Sequence, residues 1–177
     1  MVNRNWVDHS NNNPPGIEVI TIGKKCKEGK NKFTMKTDKD LLAGSVVDHM
    51  MQHDLFSQWL GIAILEIKEG YSKITMTIRP EMINGLGIVH GGIAFSMADS
   101  CFAFACNNRN ILSVALDTSI NFLNPVHVGD VLTAEAKELH NGKSTGLYHI
   151  TITNQKEHTV ALFKGTCFRT NKPLIAI

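Results

Sequence analysis

The sequence predicts an α+β fold in which a curved antiparallel sheet wraps one long central helix. Three observations lead there. Six strand-like runs recur from residue 62 onward. The connections between the last four are too short to hold crossover helices, so the sheet is largely antiparallel. In "NGLGIVHGGIAFSMADSCFAFACNN", residues 84–108, a glycine-rich loop feeds a helix that is apolar almost all the way round. A flat sheet would cover only one side of such a helix, so the sheet must curl about it.

Taken in order, residues 1–40 are rich in Asn, Lys, Gly and Pro and read as a weakly structured N-terminal extension, with "IEVITI" and "KFTMKT" its only strand-like pieces. Residues 41–177 form the expected domain. "SVVDHMMQHDLFSQWLG" reads as a short amphipathic helix, with Ser45 as N-cap and Gly61 as stop. "IAILEIKE" and "YSKITMTI" alternate about Glu69-Gly70 in the form of a β-hairpin that Pro80 ends. After the apolar helix come "ILSVALDTSINFL", "VLTAEAKELH", "TGLYHITIT" and "TVALFKGTCF". Turn signals separate them, of which Asn141-Gly142 predicts a type I′ turn, with positive φ at both central residues.

At 177 residues and 43% hydrophobic, the chain suits one globular domain plus a short extension. A net charge of +2 offers no general attraction to nucleic acid. The lysines clustered between Lys24 and Lys36 read as a solvated arm. Cys26, Cys101, Cys106 and Cys167 show no CxxC spacing and read as reduced thiols of a cytosolic protein. The N-terminus lacks the apolar stretch of a signal peptide, and the run Ile93 to Cys106 is too short to span a bilayer. A soluble, cytoplasmic protein with no membrane partner is expected.

One residue is out of place in the helix. At about 100° per residue, Gly92, Ser96, Asp99 and Ala103 share a small or polar stripe, flanked by Phe95 and Phe102, with Ile93, Met97 and Phe104 opposite. A slender ligand would lie along that stripe, while the large residues pack into the sheet. Asp99 has no basic neighbour in sequence. Either it faces solvent, or bonds a hydroxyl such as Ser96, or it is a carboxylate held in the interior as general base or nucleophile. His90-Gly91-Gly92 starts the same helix. Its free N–H groups are either a plain glycine turn or an oxyanion hole for a polarised carbonyl. Eight residues separate Gly91 from Asp99, roughly 12 Å along a helix. If both act on one bond, Asp99 comes from a second subunit, most simply in a twofold dimer.

"NGLGIVHGGIAFSMADSCFAFACN", followed by "TSINFLNPVHVGDVLTAEAKELHNGKSTGLYHITITN", closely resembles the hotdog-fold acyl-CoA thioesterases of the phenylacetate-degradation (PaaI) branch. The resemblance runs from about Asp48 to Arg169. It includes an Asn six residues before the His-Gly-Gly and an Asp nine residues after that His. It implies a homo-oligomer: dimers with joined sheets and shared active sites, often tetramers. It also implies catalytic roles for Asp99 as nucleophile or base, the Gly91 N–H as carbonyl donor, Asn84 as positioner of nucleophile or water, and His90 as organiser of the loop. No metal or separate cofactor is implied, coenzyme A being part of the substrate.

Some relatives carry a serine where this chain has Ala115, with Ser113 and Thr118 nearby, and several carry Arg where it has Asn124. Lys143 and Ser144 are candidates for the coenzyme A phosphates, or simply an exposed turn. Gly92, Phe95 and Ser96 are expected to touch substrate, with Ile88, Met97 and Phe102 adding apolar surface. Three rivals fail on residues. Gly85-Leu86-Gly87 lacks the third glycine and the crossover of a dinucleotide fold. His49 and His53 have Met50 where a metalloprotease has glutamate. A hydratase's catalytic His and acid have no matching form. The expected activity is hydrolysis of an aryl-acyl or medium-chain acyl-CoA. The alternative is a non-catalytic acyl-CoA sensor, which would have no chemical need for Asp99.

Overall fold

The structure, a computed structural model, describes residues 37–176. The strand-like pieces and lysines expected before Thr37, and Cys26, lie outside the described residues. Helix α1 spans Asp38–His53 and helix α2 Leu55–Leu60. The first helix therefore begins seven residues before the predicted Ser45 cap. Thr37 and Asp40 form a capping box, the Thr37 hydroxyl accepting from the Asp40 amide at 3.2 Å. Ser45 lies inside the helix and donates to the Leu41 carbonyl at 3.1 Å. Asp54 breaks the predicted single helix in two, its carboxylate accepting from the Ser57 amide at 2.9 Å. Gly61 ends α2 at φ 77°, a left-handed position that favours glycine.

The six predicted strands all form: β1 Ala63–Lys68, β2 Tyr71–Thr77, β3 Ser113–Phe122, β4 Val131–Asn141, β5 Thr145–Thr153 and β6 Thr159–Arg169. They make one sheet in the order β1-β2-β4-β5-β6-β3, antiparallel at every pairing. Helix α3, Gly91–Asn107, packs against β2 through β6. Alternate residues of β5 are buried against it, as the sequence period of two requires. The Asn141-Gly142 turn is not type I′, because neither residue has positive φ. A register shift between Glu138 and His140 lengthens β4 to Asn141, and a loop through Ser144 makes the connection. Gly142 is needed for space, since a Cβ there would lie 2.9 Å from the Thr145 carbonyl oxygen.

The sheet grips the helix through shape. Met97, Phe102 and Phe104 are fully buried. The Phe102 ring meets Tyr148 edge-on at 5.6 Å and Phe163 at 6.1 Å. It presses so close to β6 that a Cβ on Gly165 would lie 3.0 Å from it. At the far end of α3, Asn108 accepts from the Gly70 amide at 2.9 Å and donates to the Lys68 and Tyr71 carbonyls. Arg109 adds a bidentate pair with Glu138, both contacts 2.7 Å. The β1–β2 hairpin is thereby tied to the helix end.

Phe102→Ala should destabilise the fold by about 3–5 kcal/mol, read as a lower urea midpoint with an unchanged slope.

Candidate active site

The site is built around the start of α3. Asn84 opens the loop that leads into it. Its side-chain oxygen accepts from the Leu86 amide at 2.8 Å and the Ile88 amide at 3.3 Å, and its own amide donates to the Ile88 carbonyl at 2.7 Å. Gly87, at φ 76°, allows the chain to reverse within that span. His90 is the N-cap of α3: its amide donates to the Met82 carbonyl at 2.9 Å, and its Nδ1 accepts from the Gly92 amide at 2.9 Å. The Ile93 amide returns to the His90 carbonyl at 2.9 Å. The first-turn donors on either side are thus committed. Among the described residues the Gly91 N–H has no acceptor, and it points from the positive end of the helix dipole.

Beside Gly91 is a cavity of about 370 Å³, bounded by Asn84, Ile88, His90 and Gly91 on one side and by Phe122 and the segment Asn124–Val128 on the other. The Phe122 ring stands so near that a Cβ on Gly91 would lie 3.2 Å from it, so glycine keeps the approach to the amide open. A second, polar hollow of about 260 Å³ shares Asn124, Pro125 and His127 with the first and adds Asp130, Lys156 and His158. The sequence reading missed Phe122 and the Val126–Val128 stretch as cavity walls. The only available signal was Pro125 breaking a strand that ends in an apolar pair, which does not say what the broken segment faces.

Asp99 does not line this cavity. It is half-buried on α3, on the partly open stripe with Gly92, Ser96 and Ala103. No donor among the described residues offsets its burial, which pushes its carboxyl above the usual range. The Ser96 hydroxyl does not bond it. Along the helix it stands roughly 12 Å from the Gly91 amide, beyond reach of a carbonyl held there.

Several expected contacts fall elsewhere. Met97 and Phe102 are core residues at 0% and 1% exposure, so they offer no surface to a ligand. Phe95 is half-buried, its ring edge-on to Phe163 at 5.5 Å. It lies outside the cavity, as do Gly92 and Ser96. Ile88 does line it. Lys143 and Ser144 follow the end of β4, whose eleven residues begin beside the cavity. Measured along the strand at roughly 3.3 Å per residue they lie up to about 33 Å from it, at the opposite end of β4 from the cavity of their own chain. Ser113 is buried and its hydroxyl donates to the Ile111 carbonyl at 2.8 Å, which removes it as a stand-in for the serine at Ala115.

Among the described residues, no three His, Cys, Asp or Glu side chains converge as metal ligands. The His53 ring bonds the His49 carbonyl at 2.8 Å. Cys101, Cys106 and Cys167 are free and buried, and burial pushes the Cys101 thiol up to about 12. Among the described residues, no helix is long and apolar enough to cross a membrane.

Residues 86–161 match the thioesterase superfamily. Over 120 residues, 68% of this chain and 86% of the relative, the sequence is 46% identical to the acyl-coenzyme A thioesterase PaaI of Escherichia coli. The solved structure of the E. coli PaaI protein from the phenylacetic acid degradation operon superposes with a TM-score of 0.74 at 42% identity, covering 76% of this chain and 97% of that one. A hypothetical thioesterase from Streptococcus pneumoniae, solved with coenzyme A, superposes with a TM-score of 0.66 at 26% identity, covering 71% of this chain and 98% of that one. With a helix start built to present one amide and a backbone that superposes on these structures, the chain belongs to the thioesterase superfamily, as a hotdog-fold thioester hydrolase of the PaaI type.

Proposed function

We propose that this chain hydrolyses an aryl-acyl or medium-chain acyl-CoA thioester to the free acid and coenzyme A, in a site shared between two subunits. The observation that carries the reading is Gly91, whose amide at the α3 start has no acceptor among the described residues and lines an apolar cavity, with a desolvated carboxylate on the same helix too far away to share its target. The Gly91 N–H donates to the thioester carbonyl oxygen and stabilises the charge that grows there. Asp99 of the partner subunit either attacks the carbonyl carbon, giving a mixed anhydride as the C–S bond breaks and the thiolate leaves, which water then hydrolyses to the free acid and a restored Asp99, or takes a proton from a water that attacks instead. In the second route the C–O bond forms as the C–S bond breaks, and the sulfur leaves as a thiolate that takes up a proton. The NH₂ of Asn84, whose oxygen is already bonded to the loop, positions the attacking group. His90 holds the loop that presents Gly91.

The edge strand β3 supports the two-subunit arrangement. Its outer edge has no partner among the described residues, and Val114, Leu116 and Phe122 are each more than half exposed along it. An unpaired edge of ten residues that carries exposed apolar side chains is an open template for a second copy. Pairing there joins two sheets, and a further pairing of dimers gives a tetramer. The polar hollow with Lys156 and His158 adjoins the cavity and suits the phosphate end of coenzyme A. Lys143 and Ser144, remote from their own cavity, would reach only that of a partner. The relative solved with coenzyme A supports the ligand class. A binding-only sensor is disfavoured, because it gains nothing from a carboxylate left without donors.

Asp99→Asn should reduce coenzyme A release at least ~10³-fold in a thiol-trapping assay, and near-normal turnover would remove Asp99 from the mechanism. The same substitution should stabilise the fold. Because burial raises the Asp99 value above its ordinary 3.8, the unfolded chain ionises first and stability falls as pH rises through that window. Asn removes this loss, so the variant's melting temperature should exceed that of the wild type near pH ~7 and converge with it only below the ordinary carboxyl value, near pH ~3. Finally, Asp99→Asn and Asn84→Ala proteins, each nearly inactive, should regain about a quarter of wild-type activity when unfolded and refolded together, since one site in each mixed dimer is intact. No recovery, with mixed dimers present by mass, would place both residues in one chain's site.

A further inference from the structure

Phe122 is the last residue of β3 and, among the described residues, the only phenyl ring in the wall of the cavity beside Gly91. It is 56% exposed, whereas Phe102, Phe104 and Phe163 are buried in the core, so the fold gains little from an aromatic ring at this position. Its contact with Gly91 fixes which part of the ring meets the helix start. A Cβ placed on Gly91 would lie 3.2 Å from the ring's Cζ and 3.6 Å from each Cε. Had that point lain straight beyond the tip of the ring, both Cε atoms would stand much farther off than Cζ. Their near-equality puts the glycine over the outer end of one face. The rim of the ring is left to the cavity.

The cavity also has a direction. From Gly91 and Phe122 its wall continues through Pro125 to His127, where the polar hollow with Lys156 and His158 begins. An acyl-CoA is linear in the same sense: carbonyl, sulfur, pantetheine arm, phosphates. With its carbonyl oxygen on the Gly91 amide and its phosphates in the hollow, the arm runs along this wall and the sulfur is its first atom. That order brings the sulfur to the end of the cavity where the Phe122 ring covers Gly91.

We infer that Phe122 reads the sulfur of the thioester through a sulfur–aromatic contact at the rim of its ring. This rests on the thioesterase reading above. A polarisable sulfur is attracted to a ring at about 5 Å, most often at the ring's edge. That edge carries the positive part of the ring's quadrupole. As the C–S bond breaks, negative charge gathers on the sulfur and the contact strengthens, which an aliphatic side chain could not provide. A methylene in place of the sulfur gains nothing comparable. Gly91 thus holds the oxygen of the scissile group, and Phe122 selects the atom that leaves.

The test uses full-length wild type, Phe122→Leu, Phe122→Tyr and Val128→Ala, an exposed wall position of the same cavity. Calorimetry gives the affinities for coenzyme A and for its analogue with a methyl group in place of the thiol. The preference for the thiol should fall on the order of 3- to 10-fold in Phe122→Leu. It should persist in Phe122→Tyr, whose added hydroxyl lies in the ring plane and away from the glycine under its face. It should persist in Val128→Ala as well, where both affinities weaken together. Thermal melts confirm folding. With hexanoyl-CoA, whose acyl group brings no second ring, kcat of Phe122→Leu should fall by a similar factor, while Val128→Ala acts on KM. An unchanged preference in folded Phe122→Leu overturns the inference, as does a wild type that lacks the preference or binds neither ligand. So does a preference lost only together with the dimer by light scattering, which would make the ring a subunit contact. Should the wild type release no coenzyme A from any thioester, the thioesterase reading falls by itself, and the two affinities still decide the role of Phe122.

Discussion

Everything in this molecule depends on enclosing one helix. An apolar α3 has no stable place in water, and five strands of the sheet close over it with Met97, Phe102 and Phe104 buried. Enclosure leaves two parts of α3 open: its first turn, where no strand can satisfy the amides, and the narrow stripe through Ser96, Asp99 and Ala103. Both openings are where the proposed chemistry sits. The turn offers a donor with a partial positive charge, and the stripe offers a carboxylate whose hydration has been partly removed. A helix less fully wrapped would have a better-solvated, more ordinary aspartate.

The loop before α3 shows how structural hydrogen bonds decide which group remains reactive. Asn84 and His90 both act as acceptors for nearby amides, so the chain from Asn84 to Gly92 is closed upon itself. Had His90 not taken the Gly92 amide, two adjacent donors would compete for the same oxygen. One donor with a fixed direction is the better electrostatic partner, because it needs no reorganisation as charge develops. The same residues that look catalytic in a sequence are here also the scaffold of the donor.

The geometry is incomplete in a single copy, and its incompleteness has a direction. The amide and the carboxylate lie on one rigid rod, so no side-chain motion brings them together. In the proposed dimer, the exposed edge of β3 is the surface through which a second copy would supply what the first lacks.

From the chain alone, the six strands, the central helix and the spacing of Asn84, His90-Gly91-Gly92 and Asp99 were legible, because period, turn residues and helical rise act over a few residues. The roughly 12 Å rod, from which the two-copy proposal starts, also followed from local geometry. Other features were decided only when distant segments met. Thr37 rather than Ser45 starts α1, because the Asp40 side chain answers it. Asn141-Gly142 takes no type I′ form, because a register shift in β4 changed the strand's end. Phe102, at the flank of the polar stripe, turned inward because the sheet reached around both sides of α3. Phe122 and Val126 became cavity walls through the return of a remote strand, and Lys143 was carried to the far end of the sheet. Burial and long-range contact are sums over the whole fold, and no window of neighbouring residues contains them.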